Sequence, residues 1–288
     1  MSYRAAFLFP LLLATPAFAQ DDGAAPAPAP LIDPAKLDGD SLRIGAAAGF
    51  TPSYDGSDDL VLTVVPGIQG RVSGINFALR GNRFYADIIP TRGGPGWDVQ
   101  LGPIVSVNFN RKYRSTVTDP QVRRLPTRNF AIEVGGFAGI GKQGVITSDY
   151  DKLSVSVAYT YDVNGVHSSQ SITPAIDYST PLSTKAYVGL NLQANYEGQG
   201  FADAYFTITP ADSIASGLPA YRAKKGWKDW TLSAFALHSL TGDLTGGLSL
   251  MAAGSYRRML NDFGDSPVTS IAGSRDQWTG MLGLAYAF

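Results

Sequence analysis

Apolar and polar residues alternate with a period of two along most of this chain. In its last twelve residues, large apolar side chains share one parity: Trp278, Leu282, Leu284, Tyr286 and Phe288. Small or polar residues have the other parity: Gln277, Thr279, Gly283 and Ala287. Because successive strand residues point to opposite faces, the pattern predicts a β-strand with one apolar face. Its terminal aromatic residues, Tyr286 and Phe288, are typical of the insertion signal on the strand that closes an outer-membrane barrel.

The same alternation predicts twelve strands separated by turn residues. They lie at 42–50, 59–70, 72–89, 97–110, 129–140, 152–162, 168–180, 185–197, 201–209, 228–240, 244–258 and 277–288. Many exceed the 5 or 6 residues usual in a soluble β-sandwich, which is the alternative all-β fold. The even number and the lengths suit tilted membrane strands. We therefore predict an all-β protein, an antiparallel transmembrane β-barrel of about twelve strands over residues 41–288.

Two features of this strand assignment stay open. The range 72–89 is either one long strand or two short strands around Gly81 and Asn82. Three prolines, Pro66, Pro103 and Pro174, lie inside predicted strands, where each removes a ladder donor. We interpret them as bulges or rim positions.

The sides of the connections follow from placing both barrel termini in the periplasm. External loops are then predicted at 51–58, 90–96, 141–151, 181–184, 210–227 and 259–276. Short periplasmic turns are predicted at 163–167, 198–200 and 241–243, as is usual for such barrels. Residues 111–128 become a long periplasmic excursion, and the sides of the loops upstream of 72–89 depend on how that range is divided.

The amino terminus predicts export. Arg4 precedes an apolar stretch at 5–13, and an Ala-Phe-Ala site at 17–19 suits cleavage of a signal peptide after Ala19. Residues 20–40, rich in Ala and Pro, predict an extended periplasmic linker. Together with the predicted barrel, export predicts the cell outer membrane as the location, with outer-membrane lipid and lipopolysaccharide as surroundings.

Composition excludes several functional classes. The chain has no cysteine, which excludes a lipoprotein anchor, disulfides and thiolate metal sites. Charged residues make up 16% with a net charge of −1, which argues against a nucleic-acid partner. The two histidines, His167 and His238, occur in no catalytic motif, so we predict that the protein is not an enzyme.

No cofactor or metal is predicted either. Aspartates in the predicted loops have no calcium-loop spacing and are interpreted as solvated turn residues: Asp58, Asp59, Asp149, Asp151, Asp262 and Asp265.

Charged residues supply the candidate functional positions. Four are predicted to face the lumen: Glu133, Asp177, Lys185 and Arg257. Because they are few, they favour a narrow or occluded lumen. Six basic residues in the 111–128 segment are candidates for partner binding: Arg111, Lys112, Arg114, Arg123, Arg124 and Arg128. On the periplasmic side they would dock an acidic protein or the cell wall, and on the outer side lipopolysaccharide phosphates; a merely solvated loop is the alternative.

Three motifs resemble those of one family. Residues 52–57 read P-S-Y-D-G-S, similar to that family's P-x-Y-x-G-S. Residues 205–209 read Y-F-T-I-T and continue through Ser216-Gly217-Leu218 to Tyr221. Asp262 followed by D-S-P-V at 265–268 precedes the closing strand. In this order, over residues 41–288, they resemble the MipA/OmpV family of outer-membrane proteins.

The resemblance implies a spanning barrel in the outer membrane of a Gram-negative bacterium, without catalytic residues. For MipA-like members it implies a non-enzymatic scaffold that bridges a murein lytic transglycosylase and a murein synthase. Two other functions stay open: a narrow outer-membrane channel for small solutes, and a barrel hydrolase that uses His238.

Overall fold

The computed structural model describes residues 39–91 and 95–288, and they form a closed antiparallel β-barrel of twelve strands. The predicted signal peptide and nearly all of the predicted linker lie outside the described residues. The strands are β1 (Ser41–Pro52), β2 (Leu60–Val72), β3 (Ile75–Arg80), β4 (Arg83–Asp87), β5 (Gly96–Asn108), β6 (Ala131–Gln143), β7 (Lys152–Asp162), β8 (Gln170–Pro181), β9 (Ala186–Glu197), β10 (Gly226–Ser239), β11 (Gly247–Met259) and β12 (Asp276–Ala287). Consecutive strands pair, and β1 pairs with β12 to close the barrel.

The predicted two-faced character of the last strand is confirmed. Trp278, Leu282, Leu284 and Tyr286 are exposed, whereas Gln277, Ala285 and Ala287 are buried. This inversion, with large apolar residues outside and small or polar residues inside, recurs around the barrel. It is the distribution expected of a barrel surrounded by lipid.

The range 72–89 is a hairpin of two short strands rather than one long strand. A two-residue turn at 81–82, with Gly81 at a φ of 62°, joins β3 to β4. The turn pairs Leu79 with Phe84, so the apolar positions change from odd to even numbers across it. That change of parity is the sequence signal of the turn.

The predicted strand at 201–209 was wrong. Residues Gln199–Tyr205 form helix α1. Its buried Phe201, Ala202 and Tyr205 have the i, i+1, i+4 spacing of one helical face, because a helix turns once every 3.6 residues. The prediction counted one strand too few at 72–89 and one strand too many at 201–209. The predicted total of twelve strands was therefore right.

The corrections change which connections share a barrel end. The "terminal end" holds Ser41 and Ala287, with the connections 73–74, 144–151, 182–185 and 240–246 and the described residues 88–91 and 95. The "cap end" holds the connections 53–59, 109–130, 163–169, 198–225 and 260–275.

Several predicted sides were therefore wrong. The 111–128 segment lies opposite the termini, and so do 163–167 and 198–200. The predicted external loops at 90–96, 141–151 and 181–184 lie at the terminal end. The remaining assignments agree with the structure.

The three strand prolines lie where pairing on one side of the strand is missing. No strand pairs with Pro66 on the side of β2 away from β1 in the described part of the chain. The β4–β5 pairing stops at Tyr85 and Ile104, just before Pro103. The β8–β9 pairing skips Thr173 and Pro174. Each proline, which has no N–H to donate, thus lies where the ladder on one side of its strand is interrupted.

Three further α-helices lie in the cap-end connections, α2 (Pro210–Ser216), α3 (Asn261–Asp265) and α4 (Pro267–Ser270), together with one 3₁₀ turn, Val122–Arg124. Helix α2 has a capping box between Thr209 and Asp212, and Gly217 ends it with a φ of 77°. Of the helices in the described ranges, none is long and apolar enough to cross a membrane.

Candidate functional site

The long connections of the cap end pack together into a cap with an apolar interior. One group of buried residues, the "Tyr54 cluster", draws on four connections: Tyr54, Val117, Val122, Leu125, Ile208, Leu218, Val268 and Ala272. A second, the "Phe201 cluster", surrounds α1: Phe201, Ala202, Ala204, Tyr205, Phe206, Ala223, Met259 and Phe263. Tyr221 packs against both clusters. The cap is therefore a continuous folded layer and not a set of separate loops.

Polar contacts fix the connections to one another within the cap. Ser266 donates from its hydroxyl to the carbonyl of Phe206 at 2.6 Å. The Tyr54 hydroxyl donates to the carbonyl of Ala272. The buried Arg111 donates to the carbonyl of Ala204 at 2.7 Å, and burial lowers its pKa to about 10.

Beneath the cap, charged side chains meet inside the barrel. Lys228 is their centre: its Nζ lies 3.1 Å from Asp55 Oδ2, 3.5 Å from Glu197 Oε1 and 3.6 Å from Asp229 Oδ2. Arg257 Nη1 lies 2.9 Å from Asp55 Oδ1. We call these five residues the "lumen charge cluster". Nearby polar groups complete it, since Asn195 donates to Asp229 at 2.6 Å and Ser171 donates to Glu197.

A β-bulge makes this cluster possible. Trp227 pairs with Tyr196, but the next pair is Asp229 with Asn195, so Lys228 has no opposite residue. An extra residue of this kind interrupts strict alternation. As a result the adjacent Lys228 and Asp229 are both buried, although alternation alone would point one of them to the membrane.

The cluster also holds the cap onto the barrel wall. Asp55 lies in the connection between β1 and β2, whereas Lys228 and Arg257 come from β10 and β11. Burial opposes ionisation of Asp55, but the charges of Lys228 and Arg257 outweigh it and lower its pKa to about 2. The ammonium of Lys228 also lies 4.7 Å from the ring centre of Phe201, in the cap interior.

His167 is buried beside the cluster. Its Nε2 lies 3.3 Å from Glu133 Oε1, and its ring packs against Phe201 with centroids 5.3 Å apart. Its amide donates to Asp162 at 2.6 Å, which fixes the turn. His238 points outward on β10, on the side of Leu232 and away from the lumen. The two histidines therefore lie on opposite sides of the barrel wall.

The predicted lumen residues divide into two groups. Arg257 lies inside as a member of the lumen charge cluster, and Glu133 lies inside, paired with His167. Asp177 also faces inward, where Asn191 donates to it at 3.0 Å. Lys185 lies in an exposed turn at the terminal end.

The predicted basic segment lies in the cap. Three of its six basic side chains donate hydrogen bonds to backbone carbonyls of the cap. Arg111 and Arg128 both donate to the carbonyl of Ala204. Arg123 donates to the carbonyl of Val117 at 2.8 Å. The ammonium of Lys112 lies 4.4 Å from the ring centre of Phe130. Arg114 and Arg124 are exposed.

Two of the loop aspartates accept backbone amides of the connections. Asp151 accepts the amides of residues 145–147, and these bonds outweigh desolvation and lower its pKa. Asp262 accepts the amide of Lys224 at 2.9 Å. Across residues 39–91 and 95–288, no three acidic or histidine side chains are grouped as metal ligands would be.

Comparison with known proteins identifies the family. The family model described as "MltA-interacting protein MipA" matches residues 44–288. This chain belongs to that family. The predicted family resemblance is thus confirmed, and with the closed barrel it makes the protein an outer-membrane barrel protein. A search of curated proteins found no match.

Solved structures resemble the MipA-family barrel only weakly. A "bacterial polysaccharide outer membrane secretin" is 12% identical with a TM-score of 0.36, covering 86% of this chain and 97% of that one. "Outer-membrane expressed OmpT of Vibrio cholerae" is 6% identical with a TM-score of 0.36, covering 87% and 97%. The outer membrane protein OprD from Pseudomonas aeruginosa is 10% identical with a TM-score of 0.33, covering 86% and 93%. Similarity at this level carries no argument about function.

Proposed function

We propose that this MipA-family protein is a closed membrane anchor whose terminal end recruits murein-processing enzymes, a lytic transglycosylase first among them. The observation that carries the proposal is the cap, which fills one barrel end with two buried apolar clusters. A passive solute channel needs a continuous aqueous path. Beneath the cap, the paired charges of the lumen charge cluster add a second obstacle to such a path.

The family description supports a protein partner, since it names an interaction with MltA. The lengths of the connections indicate which end of the barrel faces the periplasm. In outer-membrane barrels the short turns face the periplasm and the long loops face outward. By that rule the terminal end faces the periplasm, where murein enzymes work.

Two neighbouring connections at the terminal end offer an apolar docking surface. Ile146, between β6 and β7, and Leu182, between β8 and β9, have exposed side chains. The first connection contacts the end of β8, next to Leu182, because the Thr147 hydroxyl lies 2.8 Å from that of Thr180. Exposed apolar residues grouped on a rigid support are suited to holding a protein partner.

The proposal is tested by capture of a purified murein lytic transglycosylase on the full-length barrel in lipid nanodiscs. Ile146→Ser with Leu182→Ser should weaken capture about tenfold, as expected when central apolar contacts of an interface are removed. Ile214→Ser with Ile271→Ser is the matched control, because both residues are exposed isoleucines of the cap. Equal losses in the two double variants, or no capture by the unmodified barrel, would refute the assignment.

The basic segment gives an independent check of sidedness. Because Arg123 and Arg124 lie at the cap end, charge reversal to Glu at both positions should leave capture unchanged. The channel alternative is tested separately in planar bilayers, where the unmodified barrel should not conduct. A stable conductance would favour the channel.

A further inference from the structure

Strand β2 has a long edge that no other strand covers. β1 pairs with β2 along its full length, from Leu60 to Arg71. On the opposite side β3 pairs only with residues from Ile68 to Val72, because the β3–β4 hairpin turns early. Residues 60–67 therefore have a free edge within the described part of the chain.

The backbone groups on this edge can be assigned from the register. Ser53 donates its amide to the carbonyl of Asp59, and hydrogen-bonded pairs then recur at every second residue. Odd-numbered residues of β2 thus bond to β1. The N–H and C=O groups of Leu60, Leu62 and Val64 point away from it, and Pro66 has no N–H to offer.

The free edge forms one side of a gap in the barrel wall. The hairpin tip at 80–83 borders the gap on the side of the terminal end, where Leu79 pairs with Ile68. The segment 109–118 borders it at the cap end: Asn110 accepts the amide of Asp55 at 3.1 Å, and the Thr118 hydroxyl lies 2.9 Å from that of Ser53. We call this gap the "lateral window".

The lateral window opens toward the membrane. Leu62 is 68% exposed and Val64 67% exposed, and both point outward. Leu62 pairs with Phe50 and Val64 with Ala48, which are outward residues of β1. Unpaired backbone groups are not tolerated in hydrocarbon unless protein, water or a polar ligand covers them.

The lumen side of the window is basic and its membrane side is apolar. Arg80 and Arg83, at the hairpin tip, point into the lumen: Arg80, whose side chain is 66% exposed, lies 3.9 Å from Asp177, and Arg83 donates to Thr173 at 3.2 Å. Arg114 lies exposed in the segment across the gap. Cationic groups beside apolar surface suit a ligand that is itself both anionic and apolar.

We propose that the lateral window binds an anionic amphiphile, an acyl chain with a carboxylate or phosphate head. The head passes through the window, binds the guanidinium groups of Arg80 and Arg83 on the lumen side and accepts hydrogen bonds from the free N–H groups of the β2 edge. The chain lies along Leu62 and Val64. An added β-strand from another protein would cover the edge but would not use the arginines, and Pro66 would leave one of its acceptors unpaired.

The test uses photoreactive lipids on the full-length barrel in nanodiscs, with crosslinked peptides located by mass spectrometry. The probes are diazirine palmitic acid, diazirine lysophosphatidic acid and the neutral diazirine palmitoyl alcohol. Labelling should concentrate on residues 60–67 and 79–85 with one or both anionic probes and be weak with the alcohol. Which anionic probe labels more strongly identifies the head group.

Substitutions then separate binding from folding. Arg80→Gln should reduce anionic labelling about tenfold, as expected for the loss of a charge-assisted contact. Lys185→Gln removes the same charge from the exposed terminal-end turn and should have no effect. Asp177→Asn removes the carboxylate 3.9 Å from Arg80 and should leave labelling unchanged or raise it.

Three results would overturn the proposal: labelling spread evenly over the lipid-facing strands, equal labelling by the alcohol, or equal losses in Arg80→Gln and Lys185→Gln. A fall in labelling in Asp177→Asn would also count against it, because the arginine would then act only through its contact with Asp177.

Discussion

The two ends of the barrel solve the problem of connecting strands in different ways. At the terminal end, short connections are held by individual contacts, such as the Asp151 carboxylate with three amides of its own loop. At the cap end, long connections bury two apolar clusters and share the lumen charge cluster with the strands. Among residues 39–91 and 95–288, only those of the cap end form an apolar interior separate from the barrel wall. A change there should therefore affect stability and closure together, whereas a change at the terminal end should stay local.

Removing the central ammonium of the cap end should have the largest effect. Lys228→Met leaves the buried Glu197 and Asp229 and the partly buried Asp55 with one cationic partner fewer. Breaking a buried ion pair from one side costs roughly 3–5 kcal/mol. The free energy of unfolding in urea, measured for the barrel in lipid, should fall by that amount. An unchanged value would mean that the cluster is hydrated and the cap open.

A core substitution in the cap should come next. Leu218→Ala truncates a residue of the Tyr54 cluster that is 1% exposed, at a cost of about 2–4 kcal/mol. Ile214→Ala, four residues earlier and 88% exposed, should change the unfolding free energy by less than about 0.5 kcal/mol. If both variants lose the same stability, the cap is not packed as a core.

The third comparison concerns pH. Because the pKa of Asp55 is lowered to about 2, its ionised form stabilises the folded state above the ordinary aspartate pKa near 3.8. This contribution, about 2 kcal/mol, is lost as the pH falls through 2. The stability difference between the unmodified protein and Asp55→Asn should be full at pH 5 and small near pH 2. A difference independent of pH would show that Asp55 acts through packing instead.

The smallest effect is expected at the terminal end. Lys152 pairs with Asp98 there, but its side chain is partly exposed to solvent. Asp98 is buried, but Thr91 and Gln100 also donate to it, so Lys152→Met should cost only about 1 kcal/mol. A loss as large as that of Lys228→Met would remove the distinction between the two ends.

Strand alternation made the fold predictable, because a membrane barrel separates apolar and polar residues residue by residue. The closing strand and its outward aromatic residues follow from the last twelve positions alone. The division of 72–89 was also accessible, since the apolar positions change parity between Leu79 and Phe84. Helix α2 was signalled by Thr209, Asp212 and Gly217, which form its capping box and its end.

The candidate site was less accessible because it depends on contacts distant in sequence. Glu133, Asp177 and Arg257 were placed inside by alternation. Lys228 and Asp229 were missed, although one signal was present. Trp227 and Trp230 are three positions apart, and two residues at an odd spacing face the same side of a strand only if a bulge inserts an extra residue between them. The contact of Asp55 with Lys228 spans 173 residues and left no local trace.

The contacts of Asp55 also constrain the order of assembly. This residue follows the first strand, but its partners lie on the tenth and eleventh strands. They become neighbours only when the β1–β12 seam has formed, so the nascent cap cannot be completed on a partly built sheet. Late pairing of this kind makes folding slow but cooperative, since the largest loop closures come before their stabilising contacts. We therefore expect the ion pairs of Asp55 to form last, after the barrel wall has closed.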